Sequence, residues 1–294
     1  MEEKNRIPNI GINWFPGHMA QALNSISKVL PTIDAIITIA DGRAPISSIN
    51  PYLQTIVQNK TQILIFSKKD LTDLNAFSNF KNLFPQYQKI LFANLTNQKE
   101  IKYLLQEIQT IETKKTEKYK RYNLKTPPLR AMVVGIPNVG KSTFINLLSG
   151  KKKASVGNLP GWTRSQQLIR VNDKLELLDT PGILPSNYED KSCALHLAWL
   201  GSMKQEILPV DYLCDTLADF VSSKYMNYIT NRYDIRTYNS SQEFFNELAL
   251  KRGFKLPGEV LDIDRAKKMF LKEFQQGILG KVIVDEPKKI WRFK

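Results

Sequence analysis

Apolar residues in the first half of the chain fall in short unbroken runs, each closed by a polar or glycine-rich turn. Ile33 to Ala40 stops at Asp41-Gly42, Gln62 to Phe66 stops at Ser67-Lys68-Lys69-Asp70, and Leu129 to Val134 stops at Gly135. A run without alternation is buried on both faces, as a parallel strand is when helices cover the sheet. Lys89 to Phe92 supplies a third strand of this kind, and Gln167 to Val171 and Leu175 to Leu178 flank a turn at Asn172-Asp173. The intervening segments have helical spacing. Ala22, Leu23, Ile26, Val29 and Leu30 line one face of Met19 to Leu30, which stops at Pro31, and Asn50 to Val57 and Gln98 to Ile111 read as further helices. The alternation predicts an α/β domain with a mostly parallel sheet. Thr113 to Pro128 carries Lys114, Lys115, Lys118, Lys120, Arg121 and Lys125 and reads as an exposed basic connector. From about Glu189 helical periodicity takes over. Ser240-Ser241-Gln242-Glu243 forms a capping-box pattern, and Ala266, Met269, Phe270 and Phe274 share one apolar face. The pattern therefore places a boundary at 188, between an α/β domain (1–188) and a small, mainly α-helical domain (189–294).

At 294 residues, with 42% hydrophobic and 24% charged, the chain can bury two cores, which excludes a disordered protein as the default. Met1 to Arg6 includes Glu2 and Glu3 and no apolar core, so no targeting peptide is expected, and no apolar run reaches membrane-spanning length. Cys193 and Cys214 lack CxxC spacing, which points to a reducing cytoplasm and away from disulfides or zinc. The net charge of +14 changes the picture more, because it makes a polyanion the first partner to test. A lysine-rich composition without a nucleic-acid partner remains the competing explanation.

The chemistry begins at Gly135-Ile136-Pro137-Asn138-Val139-Gly140-Lys141-Ser142, a complete GxxxxGK[ST] loop directly after a strand. Its glycines let backbone amides wrap a phosphate, and the following helix points its positive end at the anion. Lys141 is expected on the β/γ oxygens, Ser142 on Mg²⁺, and Thr143 on the α-phosphate; Asn138, Val139 and Gly140 complete the loop. Asp179-Thr180-Pro181-Gly182 follows the next strand but one. There Asp179 holds Mg²⁺ through water and the Gly182 amide senses the γ-phosphate.

Ser67-Lys68-Lys69-Asp70 resembles the guanine-reading NKxD motif, with Ser67 in place of the usual asparagine. The Asp70 carboxylate can accept from the N1 and N2 hydrogens that guanine has and adenine lacks, while the Lys68 stem packs on the base. Asn94 and Leu95 occupy the place of a second base-contacting loop. The motif order is base, base, phosphate loop, switch, which resembles the circularly permuted GTPases. Trp14-Phe15-Pro16-Gly17-His18-Met19, Asp41-Gly42-Arg43-Ala44-Pro45 and Pro160-Gly161-Trp162-Thr163 resemble signatures of one family among them, the RbgA/YlqF ribosome-biogenesis GTPases. That resemblance implies a P-loop GTPase domain acting in large-subunit assembly, with GTP/GDP and Mg²⁺ as ligands.

It also implies His18 as the group that orients the hydrolytic water, since the position after the DTPG turn is Ile183 rather than glutamine. A purely structural histidine after Gly17 is the alternative. Asn138 resembles the position that ligates K⁺ in cation-dependent GTPases, and Thr163 is the candidate switch residue for Mg²⁺. Residues 251 to 294 carry half as many acids as lysines and arginines. With the family resemblance, Arg265, Lys267, Lys268 and Lys272 become candidates for contacting ribosomal RNA. The expected protein is a monomer away from membranes. A regulatory GTPase recruiting proteins, with no RNA, is the second reading; a small-molecule kinase is disfavoured by Asp70 and the DTPG turn.

Overall fold

The apolar runs lie side by side in one sheet: Ile33 to Ala40, Gln62 to Phe66 and Leu129 to Val134 are flanked on both sides, while Lys89 to Phe92 lies at an edge. In a computed structural model, which describes residues 17–150, 168–185, 191–203 and 208–287, β1 (Ala35–Asp41), β2 (Thr61–Ser67), β3 (Lys89–Phe92), β4 (Leu129–Val134), β5 (Leu168–Asn172) and β6 (Leu175–Asp179) form one sheet. Its order is β3-β2-β1-β4-β6-β5, with all pairs parallel except β5 against β6. The β1–β2 register runs from Ala35 opposite Thr61 to Asp41 opposite Ser67, so both strands end at the same level. Every residue of β1 is buried.

The helices between these strands follow the expected spacing. They are α1 (Gly17–Val29), α2 (Pro51–Val57), a short α3 (Leu74–Phe77), α4 (Gln98–Gln109), α5 (Lys114–Arg121) and α6 (Lys141–Ser149). Asn50 caps α2, its side chain accepting from the Tyr52 and Leu53 amides, and Asn97 caps α4 through the Lys99 amide. The basic segment expected as a connector is helical over α5. Thr113 and Thr116 cap it reciprocally, and Lys115 reaches Asp34 at 2.9 Å. The helix escaped the periodicity because it has no buried residue and no apolar face.

Packing divides the chain into two compact units, Met1–Cys193 with Ile283–Lys294, and Ala194–Val282. The boundary expected at 188 lies in 186–190, outside the described residues. In the second unit α8 (Val210–Tyr233), α9 (Ser241–Lys251) and α10 (Ile263–Gln275) pack on one another; α7 (Lys191–Trp199) precedes them. Phe244, Phe245, Phe270 and Phe274 are buried together with Ala266, while Met269 is only partly buried. Ser240 caps α9 by accepting from the Glu243 amide, but the Glu243 carboxylate accepts from Asn239 N rather than closing the reciprocal half on Ser240. No helix among the described residues is long and apolar enough to cross a membrane.

Phe66 is fully buried against the rings of Phe77, Phe84 and Phe92, with centroids 4.9, 5.6 and 5.2 Å away. Phe66→Ala should destabilise the first unit by about 3–5 kcal/mol in urea unfolding. A loss below about 1 kcal/mol would show that this aromatic cluster does not hold the sheet.

Candidate functional site

Strand order reverses on either side of β1: β2 and β3 lie to one side, β4 and β6 to the other. In an open parallel sheet that reversal leaves a crevice beyond the carboxyl ends of the strands, where ligands bind. Five of the motif-bearing segments of the sequence lie there. Asp41-Gly42 closes β1, Ser67 to Asp70 closes β2, Ala93 to Leu95 follows β3, Gly135 to Lys141 follows β4, and Asp179 to Gly182 closes β6. The expected base loops and the phosphate loop meet directly. A Cβ built on Gly140 would lie 2.8 Å from Leu95 Cδ1 and 3.9 Å from Ser67 Cβ.

The phosphate loop takes the backbone path that its glycines permit. Gly140 has φ +100° and caps α6, and Asn138 has φ 61°, so the chain curls and turns its amides to one side. Val139 is buried beneath the loop, whereas Ser142 and Thr143 are exposed on the first turn of α6. Lys141 is buried and its Nζ donates to the Ile136 carbonyl at 2.6 Å. Burial pushes its ammonium down to about 8, opposed by the carboxylate of Asp179. The switch turn abuts the same lysine, since a Cβ on Gly182 would fall 2.8 Å from Pro137 N and 2.9 Å from Lys141 Nζ. Ile183 donates its amide to Gly135 O at 3.2 Å and is fully buried, so it offers nothing to orient water. Thr180 Oγ donates to Val133 O at 2.7 Å and anchors the turn.

A magnesium ion fits this arrangement in the manner of nucleotide-borne Mg²⁺. Among the described residues no group of three His, Cys, Asp or Glu side chains would hold a metal. The exposed Ser142 hydroxyl and Asp179 at the end of β6 are the groups available, and Mg²⁺ commonly keeps waters and phosphate oxygens alongside one or two protein ligands. His18 lies in the first turn of α1, with its side chain outside those described, and Thr163 lies outside the described residues.

On the base side Asp70 is exposed, in a short 3-10 turn (Lys69–Leu71), as a carboxylate that reads a ligand must be. Ser67 is buried and its hydroxyl donates to Ala40 O at 3.0 Å, so the residue that replaces asparagine ties β2 to β1. Lys68 sits in the left-handed region at φ 54° and its Nζ reaches Asp41 Oδ2 at 2.7 Å. Asn94 N donates to Glu100 Oε2 at 2.9 Å, a bond that also draws in Lys69 Nζ at 3.4 Å. Leu95 is buried against Gly140.

Sequence reasoning passed over Asp41 and Arg43 as site residues. Asp41 is fully buried, and its carboxylate accepts from Arg43 N at 3.0 Å, Arg43 Nε at 3.1 Å and Arg43 Nη2 at 2.9 Å besides Lys68. Burial opposes its charge, but the Arg43 and Lys68 cations outweigh that and hold the carboxyl well below the usual carboxylate range. An Asp-Gly-Arg sequence at a strand end was the available signal.

In the second unit Arg265, Lys268 and Lys272 are exposed on α10. Lys267 is not displayed in the same way: its Nζ is held by Asp211 at 2.8 Å and Asp215 at 3.2 Å and lies over the Phe245 ring. The guanidinium of Arg265 stacks on Phe254 with 4.3 Å to the centroid.

A family profile described as 50S ribosome-binding GTPase matches residues 130–242. The chain is 34% identical over 280 residues to the ribosome biogenesis GTPase A of Priestia megaterium, covering 94% of this chain and 97% of that one. To the protein of the same name from Bacillus pumilus it is 32% identical, covering 94% and 99%. A GDP-bound YlqF structure superposes with a TM-score of 0.60 at 23% identity, over 90% of this chain and 99% of that one, which supports the fold.

The depressed pKa of Lys141 sets a pH dependence. In the unfolded chain this lysine holds its proton up to its ordinary 10.5, in the folded chain only to about 8, so between those values the unfolded state binds more protons and the polypeptide gains stability as pH rises. A phosphate beside Nζ favours the charged form, so nucleotide binding should take up protons above pH 8 and weaken as pH rises. Calorimetry of GDP binding at pH 8.5 in two buffers of different ionisation enthalpy checks this. No proton uptake, or the same uptake in Lys141→Met, would contradict it.

Proposed function

Because the chain belongs to the ribosome biogenesis GTPase A family, we propose that it hydrolyses GTP at the carboxyl edge of its sheet to govern a step in large-subunit maturation. Membership makes it a GTP hydrolase of ribosome biogenesis. The observation that supports the reading is the closeness of the Ser67 and Leu95 loops to Gly140, as expected if the Asp70 loop and the phosphate loop serve one ligand. Asp70 accepts from guanine N1 and N2, Lys68 covers the base, and the amides of 138 to 143 with Lys141 hold the phosphates. Ser142, Asp179 and Thr163 would hold Mg²⁺, which would neutralise charge on the phosphates, and Asn138 would ligate K⁺.

Buried Ile183 leaves the water-orienting role to another residue, and we assign it to His18, whose imidazole suits proton handling near neutral pH. Arg265, Lys268 and Lys272 face ribosomal RNA from the basic helical domain, with Lys267 bracing α10 against α8 through Asp211 and Asp215. The protein works as a cytoplasmic monomer. The second reading, a switch that recruits proteins through this domain, is favoured by the internal pairing of Lys267, which leaves fewer cations for a phosphate backbone.

Multiple-turnover GTP hydrolysis with purified large subunits, with free ribosomal RNA, and with neither separates these readings. Large subunits should raise the rate by roughly tenfold or more, corresponding to about 1.4 kcal/mol of barrier. His18→Ala should remove about 10²–10⁴ of the rate while GTP affinity stays unchanged. Equal rates with and without subunits would overturn the ribosomal reading, and an unaltered His18→Ala rate would remove the histidine from catalysis.

A further inference from the structure

The segment that follows the helical unit returns to the nucleotide site. Val284 donates its amide to Arg43 O at 2.8 Å, and the buried Asp285 carboxylate accepts from Ile46 N at 2.7 Å and Ser47 N at 2.8 Å, as well as from the Ser47 hydroxyl. The turn so held runs from Asp41 to Ser48. Within it Ser48 Oγ donates to Ala44 O at 2.6 Å and accepts from Asp41 N at 2.9 Å. The same turn carries the Arg43 guanidinium that grips Asp41, and Asp41 in turn grips Lys68 of the base-reading loop.

Lys68 needs such a grip. Its backbone lies in the left-handed region, which strains a residue that carries a side chain. Its carbonyl is fixed by the Thr72 hydroxyl at 2.9 Å, and its ammonium by Asp41. A buried carboxylate facing two cations tolerates little displacement, because moving either partner leaves an uncompensated charge. The turn and Lys68 are thus joined through Asp41, and Asp285 is one of the groups that hold the turn.

We propose that Asp285 is a positioning residue for base recognition, acting through the Asp41–Ser48 turn, Arg43 and Asp41 on Lys68. The assignment rests on the reading of 67–70 as the guanine loop. It also gives the permuted order a consequence. The unit Ala194–Val282 is entered in the chain after the switch turn Asp179 to Gly182 and left three residues before Asp285, so both of its covalent connections lead to elements of the nucleotide site.

A double-mutant cycle on the full chain tests this, with affinity for a fluorescent GDP analogue measured for the wild type, Asp285→Ala, Lys68→Ala and the double variant. Asp285→Ala should weaken GDP by roughly tenfold in the wild-type background, the scale of losing hydrogen bonds to buried amides, and scarcely at all in the Lys68→Ala background. Asp285→Asn, which keeps an acceptor oxygen, should restore part of the affinity. A Lys68→Ala affinity equal to wild type would overturn the base-loop reading and the relay with it. A Lys68→Ala loss accompanied by full additivity, or by an Asp285→Ala affinity equal to wild type, would overturn the relay alone. If thermal melting shows Asp285→Ala unfolded, Asp285→Asn and Ser47→Ala carry the same cycle with the same criteria.

Discussion

The site depends on two loops, encoded far apart, approaching closely enough to share one ligand. A Cβ on Gly140 in the phosphate loop would press on Leu95 Cδ1 of the β3 loop at 2.8 Å and touch Ser67 Cβ of the β2 loop at 3.9 Å, and its φ of +100° disfavours any side chain. The approach is dictated by the sheet. β1 and β2 end opposite one another at Asp41 and Ser67, β4 ends opposite Thr38, and with β1 central and fully buried the loops after β2 and β4 open on the same edge of the sheet. Chain order does not enter that geometry, so a permuted sequence builds the same pocket from strands met in a different sequence.

The strands were legible because their apolar runs are unbroken; Lys89–Phe92 and Leu129–Val134 match the observed limits residue for residue. That residues 135–141, 179–182 and Asp70 stand at strand ends was legible because each directly follows an apolar run. Helix α5 was not, since a helix polar all round has no period to detect and its anchors, Thr113 capping and the Lys115–Asp34 pair, are local or tertiary. The Glu243 carboxylate went to Asn239 for a similar reason, as a one-residue change of partner leaves the sequence pattern intact. Lys267 read as a displayed cation because helical spacing places it opposite the apolar face, but the acids that claim it stand on α8.

Buried charge supplies what periodicity could not reveal. Asp41, Arg43 and Lys68 form a set in which each charge is tolerable only because the others are present. Such a set contributes little net stability, yet it fixes geometry, and here the geometry is that of the loop from Ser67 to Asp70. Asp285 reaches the Ile46 and Ser47 amides from the far end of the chain, a pairing that no local pattern records. In a permuted chain this return matters, because the helical unit is thereby spliced between the switch turn and the base loop.

The central claim is that one carboxylate, Asp70, chooses the base for phosphates held by Lys141 and its loop. Calorimetry with Mg²⁺ and K⁺, comparing guanosine, adenosine and xanthosine diphosphates on the wild type and on Asp70→Asn, tests it most directly. The account predicts a guanosine preference of roughly 100-fold or more over adenosine in the wild type, with Asp70→Asn moving the preference to xanthosine, whose C2 carbonyl accepts where guanine donates. Equal affinity of the wild type for guanosine and adenosine diphosphates would contradict it.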